Sequence, residues 1–164
     1  MRTWTQESQR ADRPWLPWRE AWPPGPWMTE PDKAVWIDEA TGLDCMIHRN
    51  QFGALCGYVG LGPSHRLHGV DFVEVEVEVD VAVHGGLTYA ATCDDQADEE
   101  HGLCHVPEPG RPHDVWWLGF DCNHSGDYAP CRVASPWDQP DAYRTFAYVQ
   151  AEVTALAAQL AEAT

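Results

Sequence analysis

Two short segments place side chains capable of chemistry at the ends of apolar runs: HGGLTY at residues 84–89 and GFDCNHSGD at residues 119–127. The second holds Asp121, Cys122, His124 and Asp127, and the first contributes His84. Imidazole nitrogens and carboxylate oxygens hold divalent cations such as zinc, and the same groups polarise water or move a proton. Asp121 attracts the most weight, because it follows the apolar run Val-Trp-Trp-Leu-Gly-Phe, where a bare carboxylate is costly unless paired or ligated. We therefore expect His84, Asp121 and His124 as catalytic groups, with His84, Asp121, His124 and Asp127 as the candidate metal ligands. A plainer reading stays open: Asp121 and Ser125 cap the turn Asn123-His124-Ser125-Gly126, His124 faces water, and His84 bonds a backbone carbonyl.

Other chemistries fit less well. Cys122 with His84 or His124 as base and Asp121 as orienter would make a nucleophile, but no nucleophile motif surrounds it. Cys93, His101, Cys104 and His105 form a second cluster without a C-x-x-C pair, the spacing a structural zinc site favours. GYVGLGP lacks the third glycine and following helix of a dinucleotide loop and reads as a loop.

The candidate site needs rigid elements, and the pattern offers them. AVWIDEA, CMIHRN and ALCGYVGL read as a hairpin or meander, turning around Gln51, Phe52 and Gly53. Val73, Val75, Val77, Val79, Val81 and Val83 alternate with Glu74, Glu76, Glu78, Asp80, Ala82 and His84, the period of a strand with one buried and one acidic, solvated face. Gly85 and Gly86 then make a two-residue turn, and LTYAATC returns as its partner. VWWLGFDC is apolar on both faces and reads as a central strand. Pro140 suits a first helical turn, and Phe146, Val149, Val153, Leu156 and Leu160 recur at helical spacing. The expected fold is α+β: one domain over residues 32–164, with a central antiparallel sheet and a long C-terminal amphipathic helix packed on it. Residues 1–31 hold five of the nine Trp and six of the thirteen Pro, a composition that excludes regular structure and predicts an extended arm. That arm either completes the core of its own domain or docks on a partner.

Twenty-six acidic against ten basic residues give a formal charge of −16, which repels phosphate backbones and anionic membranes and argues against generic nucleic-acid binding. No apolar run is long enough for a membrane span, and the N-terminal residues lack a secretory signal, so a soluble cytoplasmic protein is expected. Most cysteines should then be reduced, with Cys93 and Cys104 the pair best placed to bridge. A phosphorylated ligand would need local positive charge, for which Arg49, Arg66, Arg111 and Arg132 lie nearest the candidate loops.

HGGLTYA and VWWLGFDCNHSGD, together with TGLDCMIHRNQFGALCGYVG and CHVPEPGRPHDVWWLGFDC, resemble small proteins encoded by bacteriophages of actinobacteria and other GC-rich hosts. The resemblance spans residues 32–160 and leaves the Trp-rich arm outside. It implies an accessory protein acting in a host cytoplasm and carries over no activity and no catalytic residue. Two functions follow as expectations. One is a small hydrolase or related enzyme acting on a small polar, nucleotide-derived molecule through the His/Asp cluster, with or without a divalent metal. The other is a non-enzymatic binding protein that sequesters a host signal or docks on a host protein.

Overall fold

Strands β2 (Lys33–Ile37), β3 (Asp44–Arg49) and β4 (Leu55–Leu61) form the expected antiparallel meander, joined by turns at Gly42 and Gly53, both with positive φ. The computed structural model describes residues 1–5, 19–93, 100–103, 114–131 and 141–163. Strand β6 (Trp116–Asp121) lies between β4 and β5 (Tyr89–Thr92), and β1 (Arg2–Trp4) closes the other edge against β2. Among the described residues the result is a six-stranded antiparallel sheet, β1-β2-β3-β4-β6-β5, in an α+β fold. The apolar residues on both faces of VWWLGFDC predict a central strand, and β6 sits between β4 and β5.

Helix α2 (Phe146–Glu162) packs across β3 and β4. Its stripe of Val149, Val153, Leu156, Ala157 and Leu160 is wholly buried against Ile47, Leu55, Val59, Leu118 and Phe120. At about 1.5–3 kcal/mol per buried Val or Leu side chain, this stripe outweighs helix propensity in fixing where α2 lies. The helix begins at the Thr145 cap, whose hydroxyl accepts from the Tyr148 amide, while Pro140 lies outside the described residues. Gly57 permits the close approach: a Cβ there would meet Val153 and Phe120 carbons at 2.5 Å. The opposite face buries Val35, Met46, Tyr58 and Trp117 beneath Trp4, Tyr89 and Leu103.

The valine run departs from expectation. Phe72–Val79 is a helix, α1, not a strand. Its Val/Glu alternation places Val73 and Val77 on one helical face and Val75 and Val79 on another. Phe72, Val75 and Val79, at helical steps, pack on the main core, whereas Val73 and Val77 are 55% and 82% exposed. Asp71 caps the first turn by accepting from the Val73 amide, and Glu74 stands three residues on, the spacing of a capping box. Asp80 ends the helix in a left-handed conformation. The expected hairpin across Gly85 and Gly86 therefore does not form, and among the described residues β5 pairs with β6 alone.

Regular structure also enters the arm, as β1 and as single 3-10 turns at Arg19–Ala21 and Pro26–Met28. Trp27 is buried, stacked on Tyr128 at 5.1 Å and edge-on to Tyr143 at 4.8 Å. Trp15 and Trp18 lie outside the described residues. Behind Trp27 runs a buried ionic network. Asp32 accepts from Arg19 Nη2 and from Arg49 Nε (2.8 Å); Arg49 Nη1 reaches Gly53 O (2.9 Å) and Tyr143 Oη (2.8 Å). Glu30 accepts from Tyr143 Oη and, through Oε1, from the Phe146 amide at 2.8 Å, which ties the arm to the first turn of α2. Lys33 is also fully buried, its Nζ donating to Gly102 O at 2.8 Å above the Trp4 ring. Cys93 is disulfide-bonded, while Cys45, Cys56, Cys122 and Cys131 are free thiols and Cys104 lies outside the described residues. Among the described residues, no helix is long and apolar enough to cross a membrane.

Two substitutions check this packing by chemical denaturation. Val77→Ala, on the open face of α1, should raise stability by about 0.5 kcal/mol, the helix-propensity difference; a loss would mean that residue 77 sits in a strand. Gly57→Ala should cost about 1–3 kcal/mol through overpacking against Val153, and an unchanged midpoint would contradict the close approach.

Candidate functional site

The loop after β6 is built by its turn residues. Gly126 takes φ +93°, and the Asp127 amide closes the turn onto His124 O at 3.1 Å. A two-residue parallel bridge then zips this loop to the entry of α2, with the Tyr128 amide on Ala142 O and the Ala142 amide on Gly126 O. That bridge brings Arg144 beside Asp127.

Asp127 is 1% exposed and accepts on both oxygens. Oδ2 takes His84 Nε2 at 2.8 Å and the His124 amide at 3.1 Å; Oδ1 takes Arg144 Nε at 2.8 Å. Burial, the largest single influence, pushes this carboxyl up. The hydrogen bonds from His84, Arg144 and the His124 amide outweigh it and hold the group below the ordinary carboxylate value.

His84 is held from helix α2. Its amide donates to Glu152 Oε2 (2.9 Å), its Nδ1 meets Tyr148 Oη (3.1 Å), and two residues earlier Ala82 exchanges a reciprocal pair of bonds with the Gln159 amide. From the other side, Glu76 of α1 accepts from the Leu87 amide at 2.6 Å. His124 packs on Gly85, where any Cβ would meet its ring at 2.3 Å, and lies edge-on to His84 at 5.8 Å. Gly86 likewise has positive φ and leaves room for Glu76 Oε1, which a Cβ would meet at 2.7 Å, so both glycines of HGGL have a use other than a hairpin.

One donor atom from each of His84, His124 and Asp127 lies within 4.8 Å of the others. His124 Nδ1 stands 3.6 Å from Asp127 Oδ2 and is a buried nitrogen with no hydrogen-bond partner among the described residues. Ligands about 2.0–2.1 Å from a common zinc ion lie roughly 3 Å or a little more apart; the 2.8 and 3.6 Å spacings to Asp127 suit one ion, and the two imidazole nitrogens, within 4.8 Å of each other, would draw closer around it.

Of the residues expected from sequence, the structure thus joins His84, His124 and Asp127. Asp121 stands at the rim, 3.9 Å from His124 Nδ1, with Oδ1 accepting from the Asn123 amide and Oδ2 from Thr88 Oγ1. Those are turn-capping contacts, and Asp127 holds the central place that the sequence argument gave to Asp121. Burial pushes the Cys122 thiol far up, with Cys56, Asp127 and Asp121 adding to it, which removes the thiolate that a cysteine nucleophile requires. Of the second cluster, Cys104 and His105 lie outside the described residues, and His101 meets Glu100 at 3.7 Å.

Sequence reasoning missed Arg144, Tyr148, Glu152 and Glu76. The first three belong to the entry and polar face of α2, which a helical wheel assigns to solvent. Of the arginines expected to serve a phosphorylated ligand, Arg49 is locked in the buried network, Arg66 pairs with Glu78 and Ala163 O, and Arg111 and Arg132 lie outside the described residues. Comparison with family models, with curated proteins and with solved structures finds no match.

Asp127→Asn keeps the shape but removes the charge that three donors face, and should cost on the order of 2–3 kcal/mol. Asp121→Asn keeps an acceptor for its turn and should cost about 1 kcal/mol or less. Equal denaturation midpoints for the two variants would remove Asp127 from the centre of the site.

Proposed function

We propose that the chain binds one divalent cation, zinc by its donor set, through His84 Nε2, His124 Nδ1 and Asp127 Oδ2, and that it hydrolyses a small polar molecule there. The observation that carries this reading is His124 Nδ1, a buried nitrogen without a hydrogen-bond partner among the described residues, with two further donors inside 4.8 Å. A buried polar atom left unpaired is costly, and a cation is the partner for which its two neighbours also fit. Two imidazoles and one carboxylate leave coordination positions open, the composition of a catalytic more than a structural site. A cation so held supplies Lewis acidity and an acidified water at neutral pH.

The remaining work falls to the chain. To ligate through Nε2, His84 carries its proton on Nδ1 and donates it to Tyr148 Oη, so Tyr148 fixes the tautomer and the ring plane. Arg144, bonded to Asp127 Oδ1, orients the carboxylate so that Oδ2 faces the imidazoles. Asp121, partly exposed and near His124, is the group placed to accept a proton at the open side. In the setting implied by the likeness to phage-encoded proteins, such an enzyme would act on a small molecule in the host cytoplasm.

Tag-free protein incubated with excess zinc and then desalted should retain about one equivalent by mass spectrometry of the metal. His124→Ala should lose it, and with it any turnover of activated model esters, at little cost in melting temperature because His124 is one-third exposed. Less than about a tenth of an equivalent on the wild-type chain would sink the metal reading.

A further inference from the structure

Arg144 is tied down at one end and open at the other. Its Nε donates to Asp127 Oδ1 at 2.8 Å, and its guanidinium lies over the Tyr148 ring at 5.2 Å. A guanidinium has five N–H donors, so four remain on Nη1 and Nη2. Among the described residues no second acceptor takes them, and the side chain is 31% exposed. A rigid, planar, partly desolvated fork with free donors is what oxyanion recognition uses. We infer that Arg144 is the substrate-recognising residue of the site, and that the substrate class is a small phosphate ester whose phosphoryl oxygens are shared between the cation and Arg144. This rests on the metal reading above.

Charge makes the two halves interdependent. Without a cation, Arg144 and Asp127 cancel, and Glu152 and Asp121 nearby leave the surroundings negative. A divalent cation reverses that sign, so an anion is attracted only when the metal is in place. A phosphoryl group suits the site better than a carboxylate. Its tetrahedral oxygens can meet the cation and the fork at once and still present the scissile P–O bond, whereas a carboxylate would use both oxygens and offer no bond to cleave. Hydrolysis then places the water oxygen on phosphorus, releases the alcohol and returns inorganic phosphate, with no other reactant. The net charge of −16 opposes long polyanions at a distance, which favours a mono- or dianionic ester over nucleic acid.

The test is a linkage measurement with cobalt(II) and inorganic phosphate, read by the cobalt absorption spectrum and by equilibrium dialysis. Phosphate should tighten cobalt binding about 5- to 50-fold in the wild-type chain, and cobalt should tighten phosphate by the same factor. Arg144→Gln leaves Asp127 a neutral donor in place of the guanidinium, so melting temperature and affinity for cobalt alone should both fall somewhat. The readout is the coupling, the ratio of cobalt affinities with and without phosphate within one variant, which should be lost in Arg144→Gln and kept in part in Arg144→Lys. Acetate should couple weakly in all three. If wild-type protein binds no cobalt, the metal reading falls and takes this one with it. If it binds cobalt but the coupling is equal in Arg144→Gln, or acetate couples as strongly as phosphate, only the assignment of Arg144 and of the phosphate ester is overturned.

Discussion

A carboxylate with 1% exposure must find donors inside the protein, and Asp127 finds them in three stretches of chain that are distant in sequence. His84 comes from the segment between α1 and β5, the His124 amide from the turn after β6, and Arg144 from the approach to α2. Removing any one leaves a charge less than satisfied in a poorly solvated place, so the three segments depend on one another. The scaffold then supplies rigidity: β6 anchors the turn between two strands, the Asp127–Ala142 bridge fixes the approach to α2, and the polar face of α2 grips the backbone at Ala82 and His84.

A second buried network holds the opposite end of the same helix entry. Glu30 caps the Phe146 amide while Arg49 and Arg19 converge on Asp32, so the N-terminal segment meets the sheet and α2 through charge-assisted bonds that Trp27 shields from water. The residues between Ala142 and Phe146 are thereby fixed from both sides: Tyr143 looks to Arg49 and Arg144 to Asp127. Neighbouring residues serving two separate networks leave this linker little freedom, and Arg144 gains its orientation from that restriction.

The meander and the central position of VWWLGFDC are legible as short apolar runs between turn residues, and the apolar stripe of α2 as a helical period, each matched by its burial. The valine run misleads for a definite reason. Strict alternation fits a half-buried strand, but the same letters contain Phe72, Val75 and Val79 at helical steps behind an Asp71 cap, and burial of that narrower stripe prevails. His84, His124 and Asp127 are legible as residue types near strand ends. Which carboxylate sits at the centre is not, since Asp121 and Asp127 differ only in how the loop closes, and that depends on a bridge to Ala142 fifteen residues further on. Arg144 is hidden for a similar reason: nothing local distinguishes it from a solvated residue ahead of a helix.

Lys33 has a consequence of a different kind. It is the chain's only lysine, and in the fold it has no exposed surface, with its ammonium lodged between Gly102 O and the Trp4 ring. The native molecule therefore presents no lysine amine to acylating reagents, amine cross-linkers or enzymes that tag proteins for destruction through an isopeptide bond. Only a chain that has opened at the β1–β2 edge offers one, so the lysine chemistry of this protein reports its folding state, and any tagging directed at lysine would fall on unfolded copies while sparing folded ones.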